Sequence, residues 1–203
     1  ANLLYTKLKN RDVIIDGEAT VGVASGIKIE LVSNDVKLTE FLSLINKRSD
    51  NFLSECLFKI IGANYSGEEG SAFNSAQAIN KFLFDNGIEN RGTKVVDGSG
   101  ISRSNQVSVG AIVSLLEFMY LDTKNFEVFH NSLSIAGGDG TLGGRMIGSD
   151  AQHNFHGKTG TLNGASSVAG YLTSANKDDY IVAIIFEFSR KGQTFYRRIQ
   201  DQI

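Results

Sequence analysis

Two short polar motifs contain the residue types that acyl-transfer chemistry uses. Ser-Asp-Asn at residues 49–51 follows a run with helical periodicity, and Lys-Thr-Gly at residues 158–160 lies in a run with strand character. A lysine beside a serine hydroxyl can pass a proton to a leaving group, and amide or hydroxyl side chains can hold the substrate. Neither motif is specific by itself, because Ser-x-Asn occurs again at residues 174–176.

Each motif also has a purely structural interpretation. Ser49 and Asn51 are residue types favoured as helix N-caps, and Lys158 could be a solvated cation that protects an edge strand. The histidines are His130, His153 and His156. Their spacing offers neither a metal site nor an evident Ser/His/Asp set, so we expect packing or surface roles for them, no metal and no other cofactor.

Helical periodicity lies on both sides of the first motif. Apolar residues from Leu38 to Ile45 predict a helix that ends near residues 47–48, with capping candidates at residues 33–35. A second apolar stripe from Phe52 to Ile61 predicts another helix, which Gly62 is expected to stop. The first motif therefore lies at a tight joint between two helices. Further helices are predicted over residues 71–86 and 108–120.

The last third of the chain changes from helical to strand-like patterns. Strands are predicted over residues 154–162, 165–173 and 180–188, with turns at Asn163-Gly164 and at residues 174–177. Such closely spaced strands form an antiparallel meander, and a last helix is predicted over residues 195–203. Helices followed by strands indicate an α+β fold in which helices cover an antiparallel sheet.

The composition excludes several partner classes. The 203 residues are 41% hydrophobic and 21% charged with a net charge of −2, which fits one domain or one large piece of a domain. Acidic and basic residues are spread along the chain, so no nucleic-acid partner is expected. No apolar stretch approaches the roughly 18–20 residues that cross a bilayer, so no membrane span is predicted.

Four strings in order carry a family resemblance. They are Asn-Lys-Arg-Ser-Asp-Asn-Phe-Leu at 46–53, Val-Asp-Gly-Ser-Gly-Ile-Ser-Arg at 96–103, Ala-Gly-Gly-Asp-Gly-Thr-Leu at 136–142 and Gly-Lys-Thr-Gly-Thr-Leu at 157–162. From about Leu3 to its end, the chain resembles the S13-type, low-molecular-mass class C penicillin-binding proteins. The resemblance implies a β-lactamase/transpeptidase-like fold and a serine-type D-Ala-D-Ala carboxypeptidase/endopeptidase. Its partners would be peptidoglycan stem peptides ending in D-Ala-D-Ala, and β-lactams, in the periplasm or another extracytoplasmic compartment.

The resemblance also implies roles for the two motifs. Ser49 would relay a proton toward the leaving nitrogen, and Asn51 would hydrogen-bond the substrate backbone. Lys158 would hold Ser49 electrostatically and attract the terminal carboxylate of the substrate. These three residues form the expected catalytic set.

Three neighbouring residues would bind the substrate. The hydroxyl of Thr159 would hydrogen-bond the substrate carboxylate, and Gly160 would leave room for the peptide beside the strand. The backbone N–H of Thr161 would be one of two oxyanion donors. The strand edge would thus accept the peptide like an added strand. The turn at residues 97–100 is expected to be structural, with glycines in special backbone conformations.

The nucleophile of the family lies in a Ser-x-x-Lys at the start of a buried helix. Two literal matches occur, at residues 25–28 and 174–177, and neither fits this setting. The first precedes an extended run and stands only 24 positions before Ser49, and the second falls in a hairpin turn. We therefore expect residues 1–203 to be the C-terminal portion of a catalytic domain, with the nucleophile on a missing N-terminal portion and no activity of the chain alone.

Two other functions stay open at this stage. A naturally shortened relative would bind peptidoglycan stems without cutting them, and a serine β-lactamase would share the fold and the motifs. The open reading frame upstream of Ala1 distinguishes the shortened relative from the enzyme, because an encoded Ser-x-x-Lys helix would favour the enzyme.

Overall fold

The structure, a computed structural model, describes residues 2–22, 26, 29 and 32–202. The chain divides into two compact units, Ala1–Asp35 and Val36–Ile203. In the first unit, helix α1 (Asn2–Lys9), which the sequence did not predict, is followed by a segment whose described residues carry no further helix or strand. The Ser-x-x-Lys at residues 25–28 lies outside the described residues except for Gly26.

Five helices form the first part of the second unit. They are α2 (Leu38–Arg48), α3 (Asn51–Ser66), α4 (Ala72–Asp85), α5 (Val109–Leu121) and α6 (Phe126–Ser132). The predicted helices α2, α4 and α5 are confirmed to within a few residues, and Ser71 and Ser108 cap α4 and α5 with their side chains. Helix α6 was not predicted, because seven residues give too short a periodic pattern.

Two details of the predicted helix ends are wrong. Helix α2 begins after Lys37, which makes no side-chain cap, so residues 33–35 do not cap it. Helix α3 continues past Gly62 and ends at Gly67, which adopts φ +72°. Gly62 serves helix packing instead, since a Cβ there would lie 2.4 Å from Ser75 Oγ of α4.

An antiparallel sheet follows the helices. Its strands are β1 (Ser134–Ile135), β2 (Phe155–Leu162), β3 (Ala165–Thr173) and β4 (Asp179–Glu187), in the order β1-β2-β3-β4. The predicted meander is therefore confirmed, with Gly164 at φ +80° in the β2–β3 turn. Helix α7 (Gln193–Gln200) closes the chain as predicted, although it begins and ends earlier than expected and Ile203 lies outside the described residues.

The two faces of the sheet carry different apolar clusters. Val168 belongs to a cluster with Phe155 of β2 and with residues between β1 and β2, including Leu142, all of which are buried. Tyr171 belongs to a second cluster with Leu116 and with partly buried residues of α5 and α6. Because neighbouring strand residues face opposite ways, helices α5 and α6 cover the face that also carries Lys158, whose partner across β2 and β3 is Ala169. None of the helices in the described ranges is long and apolar enough to cross a membrane.

Candidate active site

The Ser-Asp-Asn motif lies on the joint between α2 and α3, as predicted. Ser49 ends α2 in the left-handed conformation, with φ 55° and ψ 47°. Asp50 is the N-cap of α3, and its carboxylate accepts a hydrogen bond of 2.9 Å from Leu53 N. Asn51 is the exposed first residue of α3. The capping interpretation of Ser49 and Asn51 is therefore wrong, because Asp50 does the capping and leaves both side chains available.

Lys158 reaches this joint from strand β2. Its Nζ donates to Ser49 Oγ at 2.7 Å and to the carbonyl oxygen of Thr159 at 2.7 Å, although Ser49 and Lys158 are 109 positions apart. The predicted contact between these two side chains is confirmed. Burial lowers the pKa of Lys158 to about 8. Lys158 is thus half-buried and hydrogen-bonded to Ser49, and it is not a fully solvated cation.

One edge of β2 is open beyond Gly157. Strand β1 pairs with β2 only at Gly157 and His156, so no strand among the described residues pairs with that edge from Lys158 onward. Gly160 lies opposite Ser167 of β3, and a Cβ at Gly160 would lie 2.3 Å from Ser167 Oγ. The glycine therefore permits a close approach across the sheet beside this edge.

The hydroxyl groups after Lys158 have partners that the sequence did not reveal. Thr159 Oγ1 donates to Thr141 Oγ1 at 2.8 Å, and Thr141 N donates to the buried Ser134 Oγ at 3.1 Å. Thr161 Oγ1 accepts a hydrogen bond of 3.1 Å from Arg197 Nη2 in helix α7. The strand that carries the Lys-Thr-Gly motif is thus supported by the 136–142 string and by the last helix.

A second contact fixes the 136–142 string against the end of α2. Lys47 Nζ forms an ion pair with Asp139, whose other oxygen accepts from Ile135 N at 3.0 Å. Burial acts to raise the pKa of Asp139, but the hydrogen bonds from Lys47 and Ile135 outweigh it, so this pKa is lowered. Gly140 adopts φ +58°, and a Cβ there would lie 2.9 Å from the carbonyl oxygen of Lys47. The residues just before Ser49 are therefore closely packed.

The 97–100 turn packs on α3 on the other side of the motif. Asp97 accepts hydrogen bonds from Gly100 N at 2.6 Å and Ser102 N at 2.7 Å. Gly98 N donates to Glu55 Oε2 at 2.8 Å, and a Cβ at Gly98 would lie 2.4 Å from Phe58 Cβ. The turn has the structural role predicted for it, although Gly98 serves close packing while Gly100, with φ +73°, supplies the special backbone conformation.

These segments enclose a cleft of about 640 Å³. The predicted site residues all line it: Ser49, Asn51, Lys158, Thr159, Gly160 and Thr161. Residues 98–103 also line it. A second, more apolar cavity of about 380 Å³ lies between α5, α6 and the sheet and shares Lys158, Thr159 and Gly160 with the cleft. The residues of both motifs therefore meet in one open cleft.

Comparison with known proteins identifies the family. The profile of the D-Ala-D-Ala carboxypeptidase 3 (S13) family matches residues 1–203. The chain belongs to the S13 family.

Individual relatives of this S13 chain share about a third of its residues or fewer in the matched regions. D-alanyl-D-alanine carboxypeptidase DacB of Haemophilus influenzae is 34% identical over 142 residues, which are 68% of this chain and 29% of the relative. The crystal structure of penicillin binding protein 4 (DacB) from the same organism, in complex with a β-lactam, superposes with a TM-score of 0.74 at 28% identity, covering 81% of this chain and 40% of that one. An extended-spectrum β-lactamase shares the fold at 20% identity, with a TM-score of 0.62 and coverage of 82% and 61%. The chain thus has the β-lactamase/transpeptidase-like α+β fold and spans less than half the length of the DacB proteins.

The S13 chain has supporting residues that sequence reasoning missed. Lys47 and Asp139 lie in strings that carried the resemblance, but nothing in the sequence paired two residues 92 positions apart. Arg197 lies outside those strings and gave no signal. The rings of His130 and His156 stack at a centroid distance of 4.2 Å, which is the packing role expected for them. Within the described ranges, no three His, Cys, Asp or Glu side chains are grouped so that they could hold a metal ion.

Proposed function

We propose that this chain supplies the proton relay and the carboxylate-binding side of a serine-type D-Ala-D-Ala carboxypeptidase/endopeptidase. The observation that carries the proposal is the 2.7 Å hydrogen bond from Lys158 Nζ to Ser49 Oγ at the cleft, between side chains on two different layers of the fold. Membership of the S13 family supports the substrate class, a peptidoglycan stem peptide that ends in D-Ala-D-Ala. β-Lactams would enter the same cleft, in an extracytoplasmic compartment.

The relay accounts for the departure of the leaving group. A serine nucleophile adds to the carbonyl carbon between the two D-alanines, and its proton passes to the base beside it. When the C–N bond breaks, Ser49 Oγ gives its proton to the leaving nitrogen and recovers one from Lys158 Nζ. The pKa of Lys158, lowered to about 8 by burial, suits this exchange near neutral pH. Water then hydrolyses the acyl-enzyme and releases the shortened peptide, the nucleophilic serine regains a proton from that water, and the proton held by the base returns to Lys158.

The open edge of β2 would hold the peptide during these steps. Its unpaired backbone groups from Lys158 onward suit an extended peptide that pairs as an added strand. Asn51 would hydrogen-bond the peptide backbone, and the Thr159 hydroxyl would turn from Thr141 Oγ1 to donate to the terminal carboxylate. The Thr161 N–H would donate to the oxyanion, and Gly160 would keep the approach between them open.

The nucleophile belongs, in this proposal, to a segment outside the 203 residues. Ser174, the first residue of one Ser-x-x-Lys match, lies in the β3–β4 turn, where its Oγ accepts from Asp178 N at 3.1 Å. That hydroxyl is engaged in a turn and does not line the cleft. Residues 1–203 are then the C-terminal portion of the catalytic domain and are inactive without the rest.

Release of D-alanine tests this function. The protein encoded by the whole open reading frame should cleave an acyl-D-Ala-D-Ala peptide, and Ser49→Ala and Lys158→Ala should each lower kcat/KM by roughly 10²–10³-fold, the usual cost of losing a transition-state donor. Ser174→Ala is the matched control and should leave kcat/KM unchanged. Binding of the peptide or of penicillin without any turnover would instead identify a non-catalytic peptidoglycan-binding relative. Rapid penicillin hydrolysis without D-alanine release would identify a β-lactamase.

A further inference from the structure

The positively charged guanidinium of Arg197 lies beside Thr161, at one end of the candidate site. Its Nη2 donates to Thr161 Oγ1 at 3.1 Å, from helix α7 to strand β2. Among the ion pairs of the described residues, none includes Arg197. The nearby carboxylate of Asp201 is already bound by Arg145, with Nε and Nη2 at 2.9 and 2.6 Å from Oδ1. The guanidinium of Arg197 therefore has a hydroxyl partner but no carboxylate partner in that part of the chain.

The helix that carries Arg197 is held firmly. Arg145 Nη2 also donates to Gln200 Oε1 at 3.0 Å and to the carbonyl oxygen of Arg197 at 3.4 Å. Gln200 is fully buried, and its Oε1 lies 3.5 Å from Ser166 Oγ. Ser166 is the cross-strand partner of Thr161. The end of α7 is thus fixed to the sheet at the same register as the threonine that Arg197 contacts.

This contact orients the Thr161 hydroxyl. A threonine hydroxyl has one donor hydrogen and two acceptor lone pairs, and Arg197 uses one lone pair. The hydroxyl hydrogen stays free to donate to an anionic acceptor, and the adjacent cation polarises it for that purpose. Thr161 is exposed and lines the cleft, so a substrate group can reach it.

The site also needs a charge that does not depend on pH. Arg103 also lines the cleft, but its guanidinium donates to the carbonyl oxygen of Asn163 in the turn after β2. Lys158 is the cation on the strand itself, and burial lowers its pKa to about 8. A lysine that exchanges its proton during turnover is neutral for part of the cycle. A guanidinium stays protonated throughout the physiological pH range.

We propose that Arg197 is a specificity-determining residue that selects substrates with a free C-terminal carboxylate, acting through the hydroxyl of Thr161 and through its permanent charge. The inference rests on the proposed function and adds a determinant outside the two motifs. Arg197 does not touch the reacting atoms, and it positions the donor that the carboxylate meets. A peptide whose terminal carboxyl is amidated gains nothing from this charge.

Two substrates separate this role from a merely structural one. The protein from the whole open reading frame is assayed with an acyl-D-Ala-D-Ala peptide and with its C-terminal amide, and the ratio of the two kcat/KM values is the readout. Arg197→Ala should lower kcat/KM for the free acid by about 10- to 100-fold, the usual worth of a charge-assisted hydrogen bond, and leave the value for the amide within about threefold. Arg197→Lys should restore part of the preference. Arg198→Ala, which removes the same charge from the exposed neighbouring position, should change neither value.

The outcomes show separately whether the role of Arg197 fails and whether the proposed peptidase function fails. An equal loss on both substrates, or an unchanged preference in Arg197→Ala, overturns the inference while the peptidase function stands. If the unmodified protein cleaves neither peptide, the proposed function fails and the inference fails with it. If Arg197→Ala does not fold, the ratio measured for Arg197→Gln decides in the same way.

Discussion

Ser49 and Lys158 each occupy an unfavourable state where they meet. Ser49 has φ 55°, in the left-handed region that disfavours residues with a side chain. Lys158 is buried enough to lower its pKa to about 8, which means that the fold disfavours its charged form. Costs of this kind concentrate at functional sites. The two residues thus support a functional contact better than a structural one.

The backbone strain at Ser49 can be measured separately from the loss of its hydroxyl. Ser49→Ala and Ser49→Gly both remove the hydrogen bond to Lys158, but only glycine adopts φ 55° without cost. We expect the Ser49→Gly protein to be more stable than Ser49→Ala by about 1 kcal/mol, with both equally poor in D-alanine release. Urea unfolding of the two variants gives the difference. A Ser49→Gly protein no more stable than Ser49→Ala would show that the joint is unstrained.

The pKa of Lys158 predicts the pH dependence of activity. The protonated form attracts the substrate carboxylate, and because burial lowers the pKa to about 8, this form is lost as the pH rises through that value. We therefore expect kcat/KM for the free-acid peptide to be level below about pH 8 and to fall about tenfold per pH unit above it. Lys158→Arg keeps its charge, so its residual activity should show no such decline. A profile that stays level to about pH 10 in the unmodified protein would contradict the assignment.

At the scale of elements, the joint between α2 and α3 is held from two sides. The Lys47–Asp139 pair and the close approach of Gly140 fix the end of α2. On the α3 side, the carbonyl oxygen of Gly98 accepts one hydrogen bond of 2.8 Å from Ser54 Oγ, and the Gly98 N–H donates to Glu55. Because both supports pack against backbone, small changes of volume there should move the joint.

Gly98→Ala tests the support on the α3 side. The new Cβ would lie 2.4 Å from Phe58 Cβ and 2.6 Å from the carbonyl oxygen of Ser54, so either the turn or α3 must shift. We expect a loss of about 1–3 kcal/mol in the free energy of unfolding, typical of overpacking, together with reduced activity. Gly110→Ala is the control, because its Cβ meets only ordinary contacts at 3.8 and 4.0 Å. Equal stabilities of the two variants would mean that the turn is not packed against α3.

At the scale of the molecule, strand β4 has one unpaired edge. It pairs with β3, and no described strand lies on its other side. The strand is apolar along most of its length, and Tyr180 is 53% exposed. A long apolar edge of this kind pairs readily with another chain.

We expect the 203-residue chain alone to self-associate at micromolar concentration, or to bind the proposed N-terminal portion of its protein when the two are mixed. Sedimentation velocity and amide exchange measure both effects, since pairing should protect the amides of β4. A stable monomer whose β4 amides exchange fast, and which binds no added portion, would contradict this.

The sequence predicted the elements with strong local patterns and missed the contacts made over long separations. Alternation and the Asn-Gly turn were sufficient for the meander, and apolar stripes were sufficient for α2, α4 and α5. Strand β1 has two residues, too few for any pattern. The contact of Lys158 with Ser49 was expected only through the family resemblance. The contact of Arg197 with Thr161 depends on how α7 packs against the sheet, which no local sequence pattern specifies.

We propose that these residues form the relay and binding side of a peptidase whose nucleophile lies on another segment. The position of the penicilloyl adduct decides whether this proposal holds. The protein from the whole open reading frame is treated with penicillin, and its peptides are identified by mass spectrometry alongside those of the 203-residue chain alone. We expect one adduct on a serine outside the 203 residues, followed three residues later by lysine, and no stable adduct on the isolated chain. An adduct on Ser25, or on any other serine of this chain, would contradict it.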